Sequence, residues 1–185
     1  LLTFFLFRTS PRFFFALWNN ARMPQLLYHG GLLILGVLLA FFFADGRFTF
    51  DFFSLLGIIL LLIAVECAWL ASVIVNDCYD INIDALTNPD RPLIVSSIPL
   101  AHYRTFGILF FILSLLLSGI VSFSALLLLL SYQALAWIYS APPLRLKQYP
   151  GIATLLASFA GILVLVAGYV SVAPTHNITA LPLSL

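Results

Sequence analysis

Four of the seven acidic residues in the chain crowd one short polar segment, residues 76 to 92. On a helix, Asp77, Asp80 and Asp84 stand at i, i+3 and i+7, which return to nearly the same angle at about 100° per residue. Their carboxylates would form one stripe, in which each adjacent pair repels by about 0.2–0.5 kcal/mol even in water. Carboxylate oxygens suit Mg²⁺, which is commonly bound by one or two carboxylates together with substrate phosphates. The stripe therefore predicts a magnesium site completed by a diphosphate. The competing interpretation is a loop whose carboxylates are merely solvated.

The composition is that of a membrane protein, because 63% of the residues are hydrophobic and 8% are charged. Five apolar stretches, residues 28–44, 54–75, 105–121, 123–139 and 152–173, each approach the roughly 20 residues that a helix needs to cross a bilayer. We predict an all-α, multi-pass transmembrane helix bundle that forms a single membrane domain over residues 1–185. Residues 1–21 are aromatic-rich and are expected to lie in the interface or to continue into the first span. The net charge of +1 predicts no nucleic-acid partner.

Basic residues predict the orientation of the spans. Seven of the eight precede the first span or lie between spans two and three or spans four and five, and only Arg47 falls on the opposite side. By the positive-inside rule, the acidic segment faces the cytoplasm.

Two segments carry a resemblance to a known family. Asn76-Asp77-x-x-Asp80-x-x-x-Asp84, followed by Asn88-x-x-Arg91-Pro92, closely resembles the first aspartate-rich motif of the UbiA superfamily of intramembrane prenyltransferases. Residues 139–147, Tyr-Ser-Ala-Pro-Pro-Leu-Arg-Leu-Lys, resemble the segment that follows the fourth helix in that family, in the form found in its chlorophyll-synthase and geranylgeranylglyceryl-phosphate branches.

The resemblance covers about residues 22–173 and implies a helical bundle around a central cavity that binds Mg²⁺ and an isoprenyl diphosphate. The implied reaction is transfer of the isoprenyl group to an aromatic or other lipophilic acceptor within the membrane. The family has nine helices and a second acidic motif after the sixth, whereas no acidic residue follows Asp90 here. We therefore expect the chain to be the N-terminal half of a longer enzyme, without catalytic activity of its own.

The resemblance also implies roles for individual residues. Asp77, Asp80 and Asp84 would hold the metal and carry catalysis. Asn76 would ligate the metal or orient a carboxylate. The cationic side chains that would hold phosphate oxygens are Arg91, Arg145 and Lys147. For Arg145 and Lys147, the alternative role is to determine topology only.

Glu66 stands at mid-span, where an ionisable residue costs roughly 2.5–3.5 kcal/mol. It precedes Asp77 by eleven residues, which return to within roughly 20° of the same angle, about three turns deeper. We expect it to face the same cavity, where it would hold or deprotonate the acceptor. The alternative is a protonated carboxyl bonded to a neighbouring helix. His29 and His102 show no ligand spacing, so neither is predicted to bind metal.

Two other classes of protein remain as alternatives. A phosphatidyl-alcohol phosphotransferase would also use membrane carboxylates and a divalent ion, but its Asp-Gly-x-x-Ala-Arg signature is missing. A transporter or a non-catalytic scaffold would place its acidic residues at mid-membrane on broken helices rather than at a helix end beside Arg-Pro.

Overall fold

The computed structural model describes Arg8, Pro11 and residues 22–43, 51–89, 91–95 and 98–172. These residues contain five α-helices, which are α1 (Met23–Phe43), α2 (Phe52–Thr87), α3 (Leu100–Val121), α4 (Phe123–Ser140) and α5 (Pro150–Val172). A 3₁₀ turn, Leu146–Gln148, lies between the last two. Each of the five is long and apolar enough to cross a membrane, and the described part of the chain contains no strand. The predicted all-α, multi-pass membrane fold is confirmed. The lead-in of residues 1–21 lies, apart from Arg8 and Pro11, outside the described residues.

Two of the helices begin at a polar side chain that accepts a hydrogen bond from a free backbone N–H group. Asp51 caps α2 by accepting a hydrogen bond of 2.8 Å from the backbone N–H of Ser54, and Ser122 caps α4 by accepting one of 3.0 Å from that of Ala125. Helix α2 continues to Thr87, well beyond the predicted end of its span at Val75. Its 36 residues make it about 54 Å long, whereas a hydrocarbon core is about 30 Å thick. The acidic segment is therefore the last part of a helix that extends past the apolar layer.

The bundle packs around a core shared by α1, α2, α4 and α5. The largest fully buried side chains of this core are Leu33, Leu61, Val65, Leu129 and Val164, each at most 1% exposed. A second, smaller cluster of Ile74, Ile98 and Tyr103 attaches the segment before α3 to the acidic end of α2. This cluster holds the loop that carries Arg91 against the aspartates.

Helices α1 and α5 approach each other through two glycines. A Cβ atom on Gly36 would lie 2.0 Å from the backbone oxygen of Leu165, and one on Gly168 would lie 2.1 Å from that of Leu33. Small residues of this kind let transmembrane helices pack backbone against backbone.

Candidate functional site

The three predicted aspartates share one face of α2, and that face is turned into the protein. Asp77, Asp80 and Asp84 are 2%, 9% and 5% exposed. Burying a carboxylate is costly unless it is paired and hydrogen-bonded. The solvated-loop interpretation is therefore wrong for these three residues.

Asp77 receives partners from three other segments of the chain. Arg91 forms a salt bridge to its Oδ1 atom, and Arg22 places its Nη2 atom 3.4 Å from the same oxygen. The hydroxyl of Tyr103, on α3, donates a hydrogen bond of 2.8 Å to Oδ2. Arg91 also lies 3.6 Å from Asp84, so one guanidinium joins two of the three carboxylates.

Asp80 is bound by the segment between α4 and α5. Arg145 donates a hydrogen bond of 2.6 Å to Oδ1, and Lys147 donates one to Oδ2. Lys147 also donates to the side-chain oxygen of Asn76 at 2.7 Å, and the Ser140 hydroxyl donates to that oxygen at 3.3 Å. Burial lowers the pKa of the Lys147 ammonium, while the hydrogen bond and charge of Asp80 oppose that shift. The two motifs found in the sequence thus meet in space.

Two of the arginines are held in an unusual backbone conformation. Among the residues that the structure describes, the non-glycine residues with positive φ are Arg22, at 53°, and Arg145, at 40°. The left-handed region costs an ordinary residue about 1–2 kcal/mol. Both arginines pair with aspartates of the motif, so the strained backbone positions are those that direct a guanidinium group towards the site.

We use the name charged cluster for the following seven residues: Arg22, Asp77, Asp80, Asp84, Arg91, Arg145 and Lys147. Its four cations and three carboxylates sum to a formal charge of +1. Basic side chains of the protein itself neutralise the carboxylates, which were predicted to be neutralised by a bound metal. A net positive cluster attracts an anion such as a diphosphate.

The described residues contain no group of three His, Cys, Asp or Glu side chains close enough together to hold a metal by themselves. Mg²⁺ does not require such a cage, because it keeps several waters and binds one or two carboxylates plus substrate phosphates. Asp77 and Asp80 supply oxygen ligands of the right kind beside cations that a phosphate can engage. The donor set therefore fits magnesium bound together with a phosphorylated substrate.

A cavity of about 610 Å³ opens beside the cluster, between α1, α2, α4 and α5. Its volume is typical of a site for a small ligand. Arg22, Asn76 and Ser140 line the end near the cluster, and the other end is lined by the side chains of Tyr28, His29, Trp69 and Tyr132.

Glu66 is not among the residues that line this cavity. Its carboxyl lies against α1, where a Cβ atom on Gly30 would be 3.1 Å from Oε1. Its Oε2 atom is buried without a hydrogen-bond partner in the described part of the chain.

Tyr132, which lines the cavity, was not singled out from the sequence, and neither were three further residues of the site. Tyr103 is fully buried against Asp77, and Arg22 was considered only as a determinant of orientation. His29 was dismissed as a metal ligand, yet it is buried and lines the cavity. No spacing in the sequence connects these residues to the motif, because none of them belongs to residues 76–92 and contacts between separate segments leave no local pattern.

The fold and the site together define an integral, multi-pass α-helical membrane protein with a charged cluster, whose carboxylates are buried, at the end of a cavity in the helix bundle. A family model matches residues 31–185, and its description is the UbiA prenyltransferase family. The chain belongs to this family.

Solved structures share the fold. A structure of a digeranylgeranylglyceryl phosphate synthase has a TM-score of 0.72 and 23% sequence identity, over 84% of this chain and 52% of that one. A UbiA homolog from Archaeoglobus fulgidus bound to DMAPP and Mg²⁺ has a TM-score of 0.65 and 21% identity, over 83% and 53%. The same homolog bound to GPP and Mg²⁺ gives 0.64 and 20%, over 82% and 53%.

The chain spans about half the length of the solved structures that it matches. No curated protein sequence matches it.

Proposed function

We propose that the protein transfers an isoprenyl group from an isoprenyl diphosphate to a lipophilic acceptor within the membrane, with Mg²⁺ as cofactor. The observation that carries this proposal is the charged cluster, which has a formal charge of +1 and opens onto an apolar-walled cavity inside the bundle. A diphosphate head group matches the cluster, and an isoprenyl tail matches the cavity. Membership of the UbiA prenyltransferase family supports the reaction class.

Basic and acidic side chains of the site would bind different parts of the donor complex. Arg91, Arg145 and Lys147 would exchange carboxylate partners for phosphate oxygens, each arginine as a fork and the lysine as a point charge. Asp77, Asp80 and Asp84 would hold the cofactor, which when bound neutralises the diphosphate and favours its departure from the allylic carbon. Asn76, whose oxygen accepts from Lys147 and Ser140, would keep the lysine oriented.

Related solved structures support the choice of donor and cofactor. The Archaeoglobus fulgidus homolog was solved with DMAPP or GPP, in each case with Mg²⁺. The alternatives from the sequence analysis have less support. The phosphotransferase signature is missing, and the paired aspartates lie at a helix end, not on a broken helix at mid-membrane.

The donor assignment predicts a metal-dependent reaction that discriminates between two isomeric substrates. The complete protein in detergent with Mg²⁺ should release pyrophosphate from dimethylallyl diphosphate on the order of 100-fold faster than from isopentenyl diphosphate, since only the allylic isomer ionises to a delocalised cation that the site can stabilise. Chelation by EDTA should abolish release, and added Mg²⁺ should restore it. Pyrophosphate is measured by a coupled colorimetric assay. Equal rates with the two isomers, or full activity in EDTA, would refute the proposed chemistry.

The same proposal places the charged cluster at the cytoplasmic surface, as the distribution of basic residues predicts. Single cysteines at Leu86 and Gln148 would then face the cytoplasm, and one at Phe123 would face the other side. All three positions are exposed, and the test uses a background in which Cys67 and Cys78 are replaced by alanine. A membrane-impermeant maleimide should label only the Phe123 variant in intact cells and all three after permeabilisation. The reverse pattern would contradict the orientation.

A further inference from the structure

His29 lies in the cavity with a defined ring tautomer. Its Nδ1 atom is 2.8 Å from the backbone oxygen of Gln25, which can only accept, so Nδ1 carries a proton and donates it. The Nε2 atom of the neutral ring is therefore a hydrogen-bond acceptor. It lies 3.3 Å from the hydroxyl of Tyr132, which comes from α4. A phenol thus donates to a basic ring nitrogen at a wall of the cavity.

Aromatic groups hold this pair in place. The His29 ring stacks on Trp69, with centroids 4.7 Å apart and planes inclined by 30°, and it meets Tyr132 edge to face at 5.9 Å. Burial disfavours an imidazolium, and the face of the indole ring would offset part of that cost. The ring pair is 6% exposed at His29 and 3% at Tyr132, so little bulk water competes for the proton.

The depth of the pair suits a role in the transfer step. His29 follows Arg22 by seven residues, and Trp69, on which its ring stacks, precedes Asp77 by eight, so the rings of His29 and Trp69 lie about 10–12 Å deeper than the charged cluster. The groups between the cluster and the rings add up to a comparable distance. They are a metal–oxygen bond of about 2 Å to the diphosphate, the P–O–C linkage of the donor, a separation of about 3 Å between the allylic carbon and the acceptor oxygen, and a hydrogen bond of about 2.7 Å from that oxygen to Tyr132. An acceptor hydroxyl beside the allylic carbon can therefore reach Tyr132.

We propose that Tyr132 and His29 form a proton relay that deprotonates the acceptor, and that the acceptor reacts through a hydroxyl group. This inference rests on the proposed function. The bond between the allylic carbon and the diphosphate oxygen breaks, and its electron pair leaves with the diphosphate. The acceptor oxygen forms the new bond to that carbon. Its proton passes to the Tyr132 oxygen while the Tyr132 proton passes to Nε2 of His29. The carboxyl of Glu66 is close to this pair, because it lies against Gly30, the residue that follows His29 in the sequence.

The relay is needed only by an acceptor that must lose a proton. Tetradecanol and tetradecanoate have the same chain length, but only the alcohol carries a proton on its nucleophilic oxygen at neutral pH. In the complete protein with geranylgeranyl diphosphate and Mg²⁺, Tyr132→Phe and His29→Phe should lower the rate of prenyl ether formation from tetradecanol by about 100-fold or more. Ester formation from tetradecanoate should change by less than about threefold, because a carboxylate needs no general base. Both replacements keep an aromatic ring in the packing. Products are separated by liquid chromatography and identified by mass.

The outcomes separate the relay from the proposed function. If pyrophosphate is released and the ester forms, but the variants make the ether as fast as the unsubstituted protein, the relay is wrong. Pyrophosphate release with no ether from tetradecanol in the unsubstituted protein would overturn the hydroxyl acceptor. Absence of both pyrophosphate and ester would instead refute the proposed prenyl transfer. A parallel loss of ether and ester in the variants would show that the two rings serve packing only.

Discussion

Replacing Asp80 by asparagine in the complete protein is expected to lower Mg²⁺-dependent prenyl transfer by at least about 100-fold, and Asp77→Asn should do the same. Asparagine keeps the size of the side chain but removes the charge that would hold the cofactor. It also removes the partner of Arg145 and Lys147 at Asp80, and that of Arg91 at Asp77. The measurement is product formation at saturating donor, with titration of Mg²⁺.

The matched control is Asp51→Asn on the same helix. Asp51 is an exposed N-cap at the opposite end of α2, and asparagine caps a helix about as well as aspartate. This variant should retain the activity of the unsubstituted protein. Because half-buried cations left without a partner can destabilise the fold, the thermal midpoint of each variant is also measured. If folded Asp80→Asn and Asp77→Asn proteins turned over at the normal rate, the charged cluster would not be the donor site.

Alanine at Gly168 or Gly36 is expected to destabilise the bundle by about 1–3 kcal/mol, since a methyl group there would collide with a backbone oxygen that has no flexible end to move aside. The collision would push α1 and α5 apart and loosen the cavity that lies between them. For a protein of this size, such a loss corresponds to a fall of roughly 3–10 °C in the thermal midpoint. It is measured by thermal unfolding in detergent.

Gly31→Ala is the control for this pair, because a Cβ atom at Gly31 would meet nothing within 4 Å. Alanine also has a higher helix propensity than glycine, so this variant should be unchanged or slightly more stable. A normal midpoint for both Gly36→Ala and Gly168→Ala would show that α1 and α5 do not pack as closely as described.

The sequence by itself determined the number and kind of helices and the relation among the aspartates. Because a bilayer core has a defined thickness, a sufficiently long apolar stretch predicts a spanning helix even when the helices that pack against it are unknown. The helical repeat likewise places Asp77, Asp80 and Asp84 on one face whatever packs against them. Helix ends were less well predicted, as at α2, because polar residues past Val75 continue the helix when partners from other segments bury them.

Only the tertiary structure decided which groups meet those aspartates. The partners of Asp77 come from before α1, from the loop after α2 and from α3, and no local pattern encodes contacts between residues so far apart in the chain. The same holds for His29 and Tyr132, which are separated by 103 positions and become a hydrogen-bonded pair only when α1 and α4 face one cavity. Glu66 shows the converse. The helical repeat predicted that it faces the same cavity as Asp77, but it is not among the residues that line the cavity, and its carboxyl lies against Gly30 on α1. Local periodicity sets the direction of a side chain, whereas helix packing sets what it touches.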